Sequence, residues 1–202
     1  QPFSRPAVPS PFEPEPVALF PNNLNPQPIL AVDSRLPERY SEGLSLTWRD
    51  RALRVTRPNT PDAPASAVGY LLDGNERSWF VEEPGRVEEF IHARDASRLH
   101  PLTWRVAVES WMTRARLAET GAVEFWDDRA AWWRADAPWA INGDGRRVEG
   151  RWLIRGTPID EPGTIEVVGL AGASWIDLTL VFDTPLAGSV TIDPSWTTTQ
   201  SL

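Results

Sequence analysis

Five tryptophans in the stretch 126–152 are the residues whose type and spacing could do chemistry. They are Trp126, Trp132, Trp133, Trp139 and Trp152, out of eleven in the whole chain. Flat aromatic rings at this density can line a pocket for an apolar ligand, or form a platform for sugar rings. They can equally fill a core and pair across strands. All three uses are open from the sequence, and these five residues are the candidates for lining a ligand pocket.

The carboxylates and imidazoles point to no catalytic or metal centre. Asp127 and Asp128 are adjacent, and neighbouring residues of a strand face opposite sides, so they could share a proton or a cation only in a turn. A solvated pair is the expectation. His92 and His100 are the only histidines, and their spacing does not suit a metal site. We therefore predict no catalytic residue, no metal ligand and no required cofactor.

The composition and charge of the chain argue against several classes of binding partner. The net charge is −8, and all 20 basic residues are Arg, interleaved with Asp and Glu. Nucleic-acid binding needs clustered positive charge, so this pattern argues against it, and also against simple adsorption to anionic lipid. No run of about 18 apolar residues exists, so no membrane-spanning segment is predicted. Without cysteine, disulfides and thiolate metal sites are excluded.

The first 28 residues carry nine prolines, which deny backbone donors and fix φ. An extended arm is therefore predicted for residues 1–28. It is either a plain leader or linker, or an arm that lies along a partner. The second interpretation rests on its interleaved apolar residues, which a pure spacer does not need. These partner-binding candidates are Phe3, Phe12, Val17, Leu19 and Phe20.

The elements that would position the tryptophans are short strands joined by turns. Residues 44–49 and 52–57 predict a hairpin, and Asp73-Gly74-Asn75 marks a second turn. Asn142-Gly-Asp-Gly resembles a fragment of a calcium loop, but a hairpin turn explains it fully. Residues 164–170 and 175–182 are further strands. This pattern predicts a mostly β fold: an antiparallel lipocalin-like barrel or β-sandwich with at most one or two short helices.

Two segments and the chain end are less regular. Arg86–Arg98 has acidic residues near its start and Arg94 near its end, which suits a helix. Trp104–Leu117 fits one face of a helix but also alternates as a strand does, and the Gly121 turn after it favours a hairpin. Residues 29–196 are predicted to form one β domain, with a frayed tail over residues 197–202.

Four pieces between Pro101 and Gly172 occur in an order found in a known family. They are Pro101-Leu-Thr-Trp-Arg-Val-Ala-Val, the aromatic pair Trp132-Trp133, Gly145-Arg-Arg-Val-Glu-Gly-Arg-Trp, and Ile165-Glu-Val-Val-Gly-Leu. This order resembles the C-terminal part of the lipocalin-like carotenoid hydratase family. The resemblance covers about a third of the 202 residues. It implies a lipocalin-like barrel, a carotenoid or other apolar ligand, and a pigment-containing, photosynthetic membrane system as the setting.

The chain departs from that family where the chemistry would lie. Arg134 and Ala135 follow the aromatic pair, whereas the family has an acidic residue there. Hydration of an alkene needs a proton donor, and Arg cannot supply one near neutral pH. The family's Gly-Tyr is Arg151-Trp152 here. The resemblance therefore favours a retained scaffold that has lost the chemistry.

These observations predict a non-catalytic binding module, an accessory or structural subunit held on a larger, membrane-bound assembly by its Pro-rich arm and Trp/Arg surfaces. The first alternative is a hydratase-like enzyme acting on a polyene, with Asp127, Asp128 or Asp136 as the nearest acids. The second is a carbohydrate-binding module. Because the chain begins with Gln1 rather than Met, a processed form on the periplasmic or cell-surface side is expected.

Overall fold

The computed structural model describes residues 32–154 and 166–199, which are almost entirely antiparallel β-structure. Two single-turn 3-10 helices, Tyr40–Glu42 and Ala96–Arg98, are the helical elements of this part. The mostly β fold class with at most one or two short helices is confirmed. The strands are β1 Asp33–Arg35, β2 Leu44–Trp48, β3 Arg51–Thr56, β4 Tyr70–Leu71, β5 Glu76–Glu83, β6 Arg86–Ala93, β7 Thr103–Ala107, β8 Arg114–Leu117, β9 Val123–Trp126, β10 Ala131–Ala135, β11 Trp139–Asn142, β12 Arg147–Ile154, β13 Glu166–Gly169, β14 Trp175–Phe182, β15 Val190–Asp193 and β16 Ser195–Thr198.

The strands form one continuous sheet that folds into two facing halves. One half has the order β1-β2-β3-β7-β14-β12, and the other has the order β4-β5-β6-β16-β10-β9-β8-β13. Strands β11 and β15 join them, because β11 pairs with β12 and β15 pairs with β6. This arrangement is consistent with a β-barrel or a sandwich-like fold.

Four tryptophans fill the space between the halves. Trp104, Trp133, Trp152 and Trp196 are each at most 1% exposed. The Trp152 ring meets Trp104 edge-on at 5.2 Å between centroids and lies 5.8 Å from Trp196. Since a large aromatic side chain buries about 150–250 Å², these rings supply much of the apolar area that holds the halves together.

Most predicted hairpins are present. Side chains along their strands alternate between buried and exposed positions, which is the pattern that predicted them. Strands β2 and β3 pair around Arg49–Asp50, with inward Leu44, Leu46 and Trp48. The Asn142–Gly145 turn joins β11 to β12 through a hydrogen bond from the Gly145 amide to the Asn142 carbonyl. In strands of period 2, one face is buried and the other solvated, as the sequence pattern indicates.

The helix considered for Arg86–Arg98 is wrong over most of its length. Residues 86–93 form β6, in which Val87, Glu89, Ile91 and Ala93 are buried and the residues between them are not. The charges that suited a helix dipole instead alternate across the sheet. Eight register pairs with β5 and further pairs with β15 and β16 outweigh the helix signal. Only Ala96–Arg98 makes a helical turn.

The segment Trp104–Leu117 is strand rather than helix. It contains part of β7 and all of β8, and β8 forms the predicted hairpin with β9 around Gly121. The predicted strands 164–170 and 175–182 are present as β13 and β14. They do not pair with each other, because β13 lies beside β8 and β14 lies between β7 and β12.

The C-terminal boundary differs from the sequence prediction. A frayed tail was predicted from Thr197, yet Thr197 and Thr198 belong to β16 and are buried. The reason is tertiary pairing, since Thr197 lies opposite both Arg86 of β6 and Arg134 of β10.

Candidate functional site

The five candidate tryptophans do not converge on one pocket. Trp133 and Trp152 are fully buried in the core, whereas Trp126, Trp132 and Trp139 are half-buried. Trp133 donates from its indole nitrogen to the carbonyl of Arg51 at 3.1 Å, and Trp152 donates to the carbonyl of Asp136 at 2.7 Å. Core filling therefore accounts for two of the five, and cross-strand surface positions account for the rest.

Each half-buried candidate carries a guanidinium over its ring. Arg114 lies 5.0 Å from the centroid of Trp126, Arg51 lies 4.8 Å from that of Trp132, and Arg147 lies 4.9 Å from that of Trp139. Seven of the eleven tryptophans have such a partner, the others being Trp48, Trp79, Trp104 and Trp175. A cation over an aromatic face is attracted by the ring quadrupole. The faces that sugar rings would stack on are thus shared with Arg side chains.

Asp127 and Asp128 do not form a catalytic pair. Asp127 Oδ1 accepts the amides of Arg129 and Ala130, each at 2.8 Å, and Oδ2 accepts the Trp132 indole at 2.8 Å. These bonds, with that to the Ala130 amide the strongest, lower the pKa of Asp127. A carboxylate stabilised in its charged form is a turn former and a poor proton donor.

A buried ion pair lies between the halves, beneath the turn before β5. Arg57 and Glu76 are in salt-bridge contact, and their side chains are 1% and 0% exposed. Arg57 also donates to the carbonyls of Pro101 at 3.2 Å and His100 at 3.0 Å. The backbone amide of His100 donates to Glu76 at 3.0 Å, and its ring Nδ1 lies at the same distance. Excellent geometry of this kind is what a buried pair needs to offset desolvation.

A second buried carboxylate, Glu89, is surrounded by hydrogen-bond donors. It accepts from the Tyr40 hydroxyl at 2.5 Å, the Ser78 hydroxyl at 2.9 Å and the Trp104 indole at 2.8 Å. Burial raises the pKa of Tyr40, and the Glu89 charge adds to that effect. Burial by itself lowers the pKa of Arg57, but the nearby anionic groups raise it by more. The Arg57 guanidinium therefore stays charged.

The space beside this cluster is small. The cavity lined by Glu89, Trp104 and Trp196 measures about 10 Å³. A cavity of that size holds about one water molecule and no polyene. The buried charges therefore face packed side chains rather than a substrate-sized chamber, and their geometry supports stability and specificity of packing.

The largest exposed aromatic surface lies at the start of β14. Trp175 is 54% exposed, and the Arg105 guanidinium lies 5.0 Å from its ring centroid. Arg105 is held by two bonds to Asp177, at 2.8 Å from Nε and 3.1 Å from Nη2. Val167 of β13, across the intervening turn, is 55% exposed.

The two histidines make different contacts. His100 contacts Glu76, and His92 Nδ1 lies 3.1 Å from the Thr191 hydroxyl. In residues 32–154 and 166–199 no group of three or more His, Asp or Glu side chains is arranged to hold a metal. Over the same ranges, no helix has the length and apolar character needed to cross a bilayer.

The predicted partner-binding residues of the arm, Phe3, Phe12, Val17, Leu19 and Phe20, lie outside the described residues. Sequence reasoning also missed Arg57, Glu76 and Glu89. A signal for Glu89 was present, because it alternates with Val87 and Ile91 and so shares their inward face. Arg57 carries the same signal, because it alternates with Leu53 and Val55 of β3 and so shares their inward face.

We compared the chain with protein-family models, with curated proteins and with solved structures, and none of the three comparisons gave a match.

Proposed function

We propose that this protein is a non-catalytic β-domain that serves as an accessory or structural subunit of a larger assembly. The observation that carries the proposal is the exposed Trp175 with Arg105 over its ring. Tryptophan and arginine are the residue types most enriched at interface hot spots. Trp175 is 54% exposed, so its indole and the oriented Arg105 guanidinium are together open to a partner.

The Arg105–Asp177 pair supports the same interpretation. Two parallel bonds hold the guanidinium in one orientation, so little side-chain entropy would be lost when a partner covers it. Strand β13, at the edge of the other half of the sheet, pairs with β8 on one side, and no described strand pairs with its other side. Such an edge can accept an added strand from a partner.

The interior favours this function over a polyene-processing enzyme. A carotenoid needs a long apolar chamber, whereas Trp104, Trp133, Trp152 and Trp196 occupy the space between the halves. Two of the three acids nearest to the candidate tryptophans are engaged: Asp127 by backbone amides, and Asp136 by Arg134 and Thr197. The Arg-covered indoles likewise favour protein contact over sugar stacking.

The resemblance to the carotenoid hydratase family suggests where such a subunit would work. It implies a pigment-containing, photosynthetic membrane assembly. The periplasmic or cell-surface side and the tether formed by the Pro-rich residues 1–28 are further parts of the proposal, and they rest on the sequence rather than on the resemblance. These assignments have one testable consequence in common. The protein should leave its source membrane as part of a large coloured particle.

The test is the native mass of the full chain after mild detergent extraction from its source, with an absorption spectrum of the same fraction. We expect migration with a large pigmented complex, and loss of that migration after deletion of residues 1–28 or after Trp175→Ala. Ile141→Ala is the matched control, because Ile141 is 39% exposed on the distant β11. Migration of the unaltered protein as a free, colourless monomer would overturn the proposal.

A further inference from the structure

A concave cavity of about 560 Å³ opens beside β5, away from the Trp175 surface. Its walls are Leu36 and Pro37 after β1, the loop 65–69, and Tyr70, Trp79 and Phe80. Leu36 is 36% exposed and Val68 53%, so the apolar wall is open to solvent. Cavities of about 300–1,000 Å³ with mainly apolar linings are typical of sites for small molecules.

Arg77 supplies the one guanidinium of this cavity. Its guanidinium lies 4.8 Å from the ring centroid of Trp79, and Trp79 is stacked on Phe90 at 5.5 Å. Phe90 holds the Trp79 ring in place, and the Trp79 ring in turn orients the positively charged guanidinium of Arg77. The Nε of Arg77 is buried and has no hydrogen-bond acceptor within the described chain. Arg51, Arg86 and Arg116 have a buried Nε in the same state, but Arg77 is the one of these four that lines this cavity.

A smaller cavity of about 220 Å³ adjoins the first, and Arg77 lines both. His92 and Arg94 line the smaller one with Arg77. In the register of β5 and β6, Arg77 lies opposite His92. Burial, and then the charges of Arg77 and Arg94, lower the pKa of His92. Asp73 also lines this cavity, but its Oδ1 accepts the amides of Asn75 and Glu76.

The two cations here form no salt bridge. Nine of the 18 described arginines form salt bridges to carboxylates: Arg39, Arg51, Arg54, Arg57, Arg86, Arg105, Arg134, Arg147 and Arg151. Arg77 and Arg94 belong to the other nine, which have no carboxylate within 4.0 Å among the described residues. Arg77 is the one of these that lines the apolar cavity, and Arg94 lines the smaller cavity with it.

We propose that the two adjoining cavities bind a small amphiphilic anion, with its apolar chain against Leu36, Val68 and Phe80 and its carboxylate or phosphate group on Arg77 and Arg94. The planar guanidinium group of Arg77 can form two parallel hydrogen bonds to such an oxyanion. Because it is already stacked on Trp79, it is positioned for these bonds in the unbound protein. The apolar lining supplies affinity, and the charge supplies selectivity. This site is independent of the Trp175 surface.

The test is isothermal titration of the full chain with decanoate and with decyl phosphate, below their micelle concentrations. We expect binding of one molecule per chain for both anions, and binding at least about tenfold weaker for decanol and decyltrimethylammonium, because neither offers an anionic group to the two guanidinium groups. Equal binding of decanol would overturn the proposal. Binding to vesicles of anionic phospholipid without binding of the monomeric anions would overturn it too, and would assign the surface to a membrane.

Two variants locate the site. Arg77→Gln should weaken decanoate binding at least about tenfold, whereas Arg129→Gln, an equal loss of charge in an exposed turn, should leave it unchanged. Val68→Asn, at a position already half in solvent, should weaken decanoate binding without altering the fold. The indole N–H resonance of Trp79 should shift on titration of the unaltered protein. Unchanged affinity in both site variants would refute the assignment.

Discussion

The indole nitrogen of Trp104 donates to Glu89 at 2.8 Å, and this bond links the two halves of the sheet at their centre. Trp104 belongs to β7 in one half, and Glu89 belongs to β6 in the other. Because Tyr40 and Ser78 donate to the same carboxylate, the buried charge is satisfied by three neutral donors. The bond therefore requires the two halves of the core to pack in the one arrangement that brings Trp104 to Glu89.

Glu89→Gln should destabilise the domain although it preserves the shape of the side chain. All three neighbours donate, so a carboxamide places an N–H against at least one of them. Leaving a buried donor unsatisfied costs about 1–3 kcal/mol, and we expect a loss in that range in urea unfolding. Glu149→Gln, which changes an exposed carboxylate, is the control. Equal midpoints for the two variants would contradict a structural role for Glu89.

Asp193 should make the domain less stable as the pH rises. Burial raises the pKa of this carboxyl above its ordinary value of 3.8. The folded state then binds more protons than the unfolded state between the two pKa values, so the free energy of unfolding falls as pH rises through that window.

Asp193→Asn should therefore be more stable than the unaltered protein at pH 7 and should lose this advantage below about pH 4. The Asn carbonyl can still accept the Ser195 hydroxyl, which lies 2.9 Å from Asp193 Oδ1. Thermal unfolding of both proteins from pH 3 to pH 8 tests this expectation. An advantage that grows on acidification would show that the ionised form stabilises the fold.

Trp152→Ala should cost about 3–5 kcal/mol, as large-to-small changes of buried aromatics do. The change removes contacts with Trp104 and Trp196 and leaves the Asp136 carbonyl without its donor. Trp139→Ala at the half-buried surface should cost clearly less. Guanidinium unfolding of both variants gives the comparison, and equal costs would mean that Trp152 is not the centre of the core.

Gly69→Ala should be far more damaging than Gly74→Ala. Gly69 has φ +92°, and a Cβ there would lie 2.3 Å from the Ser78 carbonyl oxygen. Gly74 has no atom within 4 Å of such a Cβ. We expect a loss of more than about 2 kcal/mol for the first and a change within about 0.5 kcal/mol for the second. Similar unfolding midpoints would show that the loop 65–69 yields easily.

The strands were predictable because the period of 2 is a local signal. Leu44–Trp48 and Trp175–Phe182 show it on one face, and their turns carry the expected Gly, Asn and Asp residues. The helix predicted for Arg86–Arg98 is wrong because charges at the ends of a segment are a weaker signal than the inward-facing set Val87, Ile91 and Ala93. Pairing with three other strands decided that segment, and pairing between distant strands is not visible in a local window.

The candidate site was less accessible to prediction. Trp132 and Trp133 are adjacent in a strand, so one had to face inward, but the pairing of β10 with β9 and β16 determines which. The Arg51–Trp132 contact joins residues far apart in the chain, as does Arg57–Glu76. Such contacts depend on strand order, which composition and spacing leave undetermined.

The position of β6 has a consequence for the timing of folding during synthesis. Its edge is shared by β15 and β16, whose side chains meet those of β6 across 99 and 109 residues of chain. A ribosome must therefore make nearly all of the described chain before this central strand gains its second neighbour. Until then, β6 exposes Val87, Ile91 and an unpaired edge. Long-range pairing of this kind folds slowly, so a nascent chain of this protein should depend on chaperones until β16 emerges.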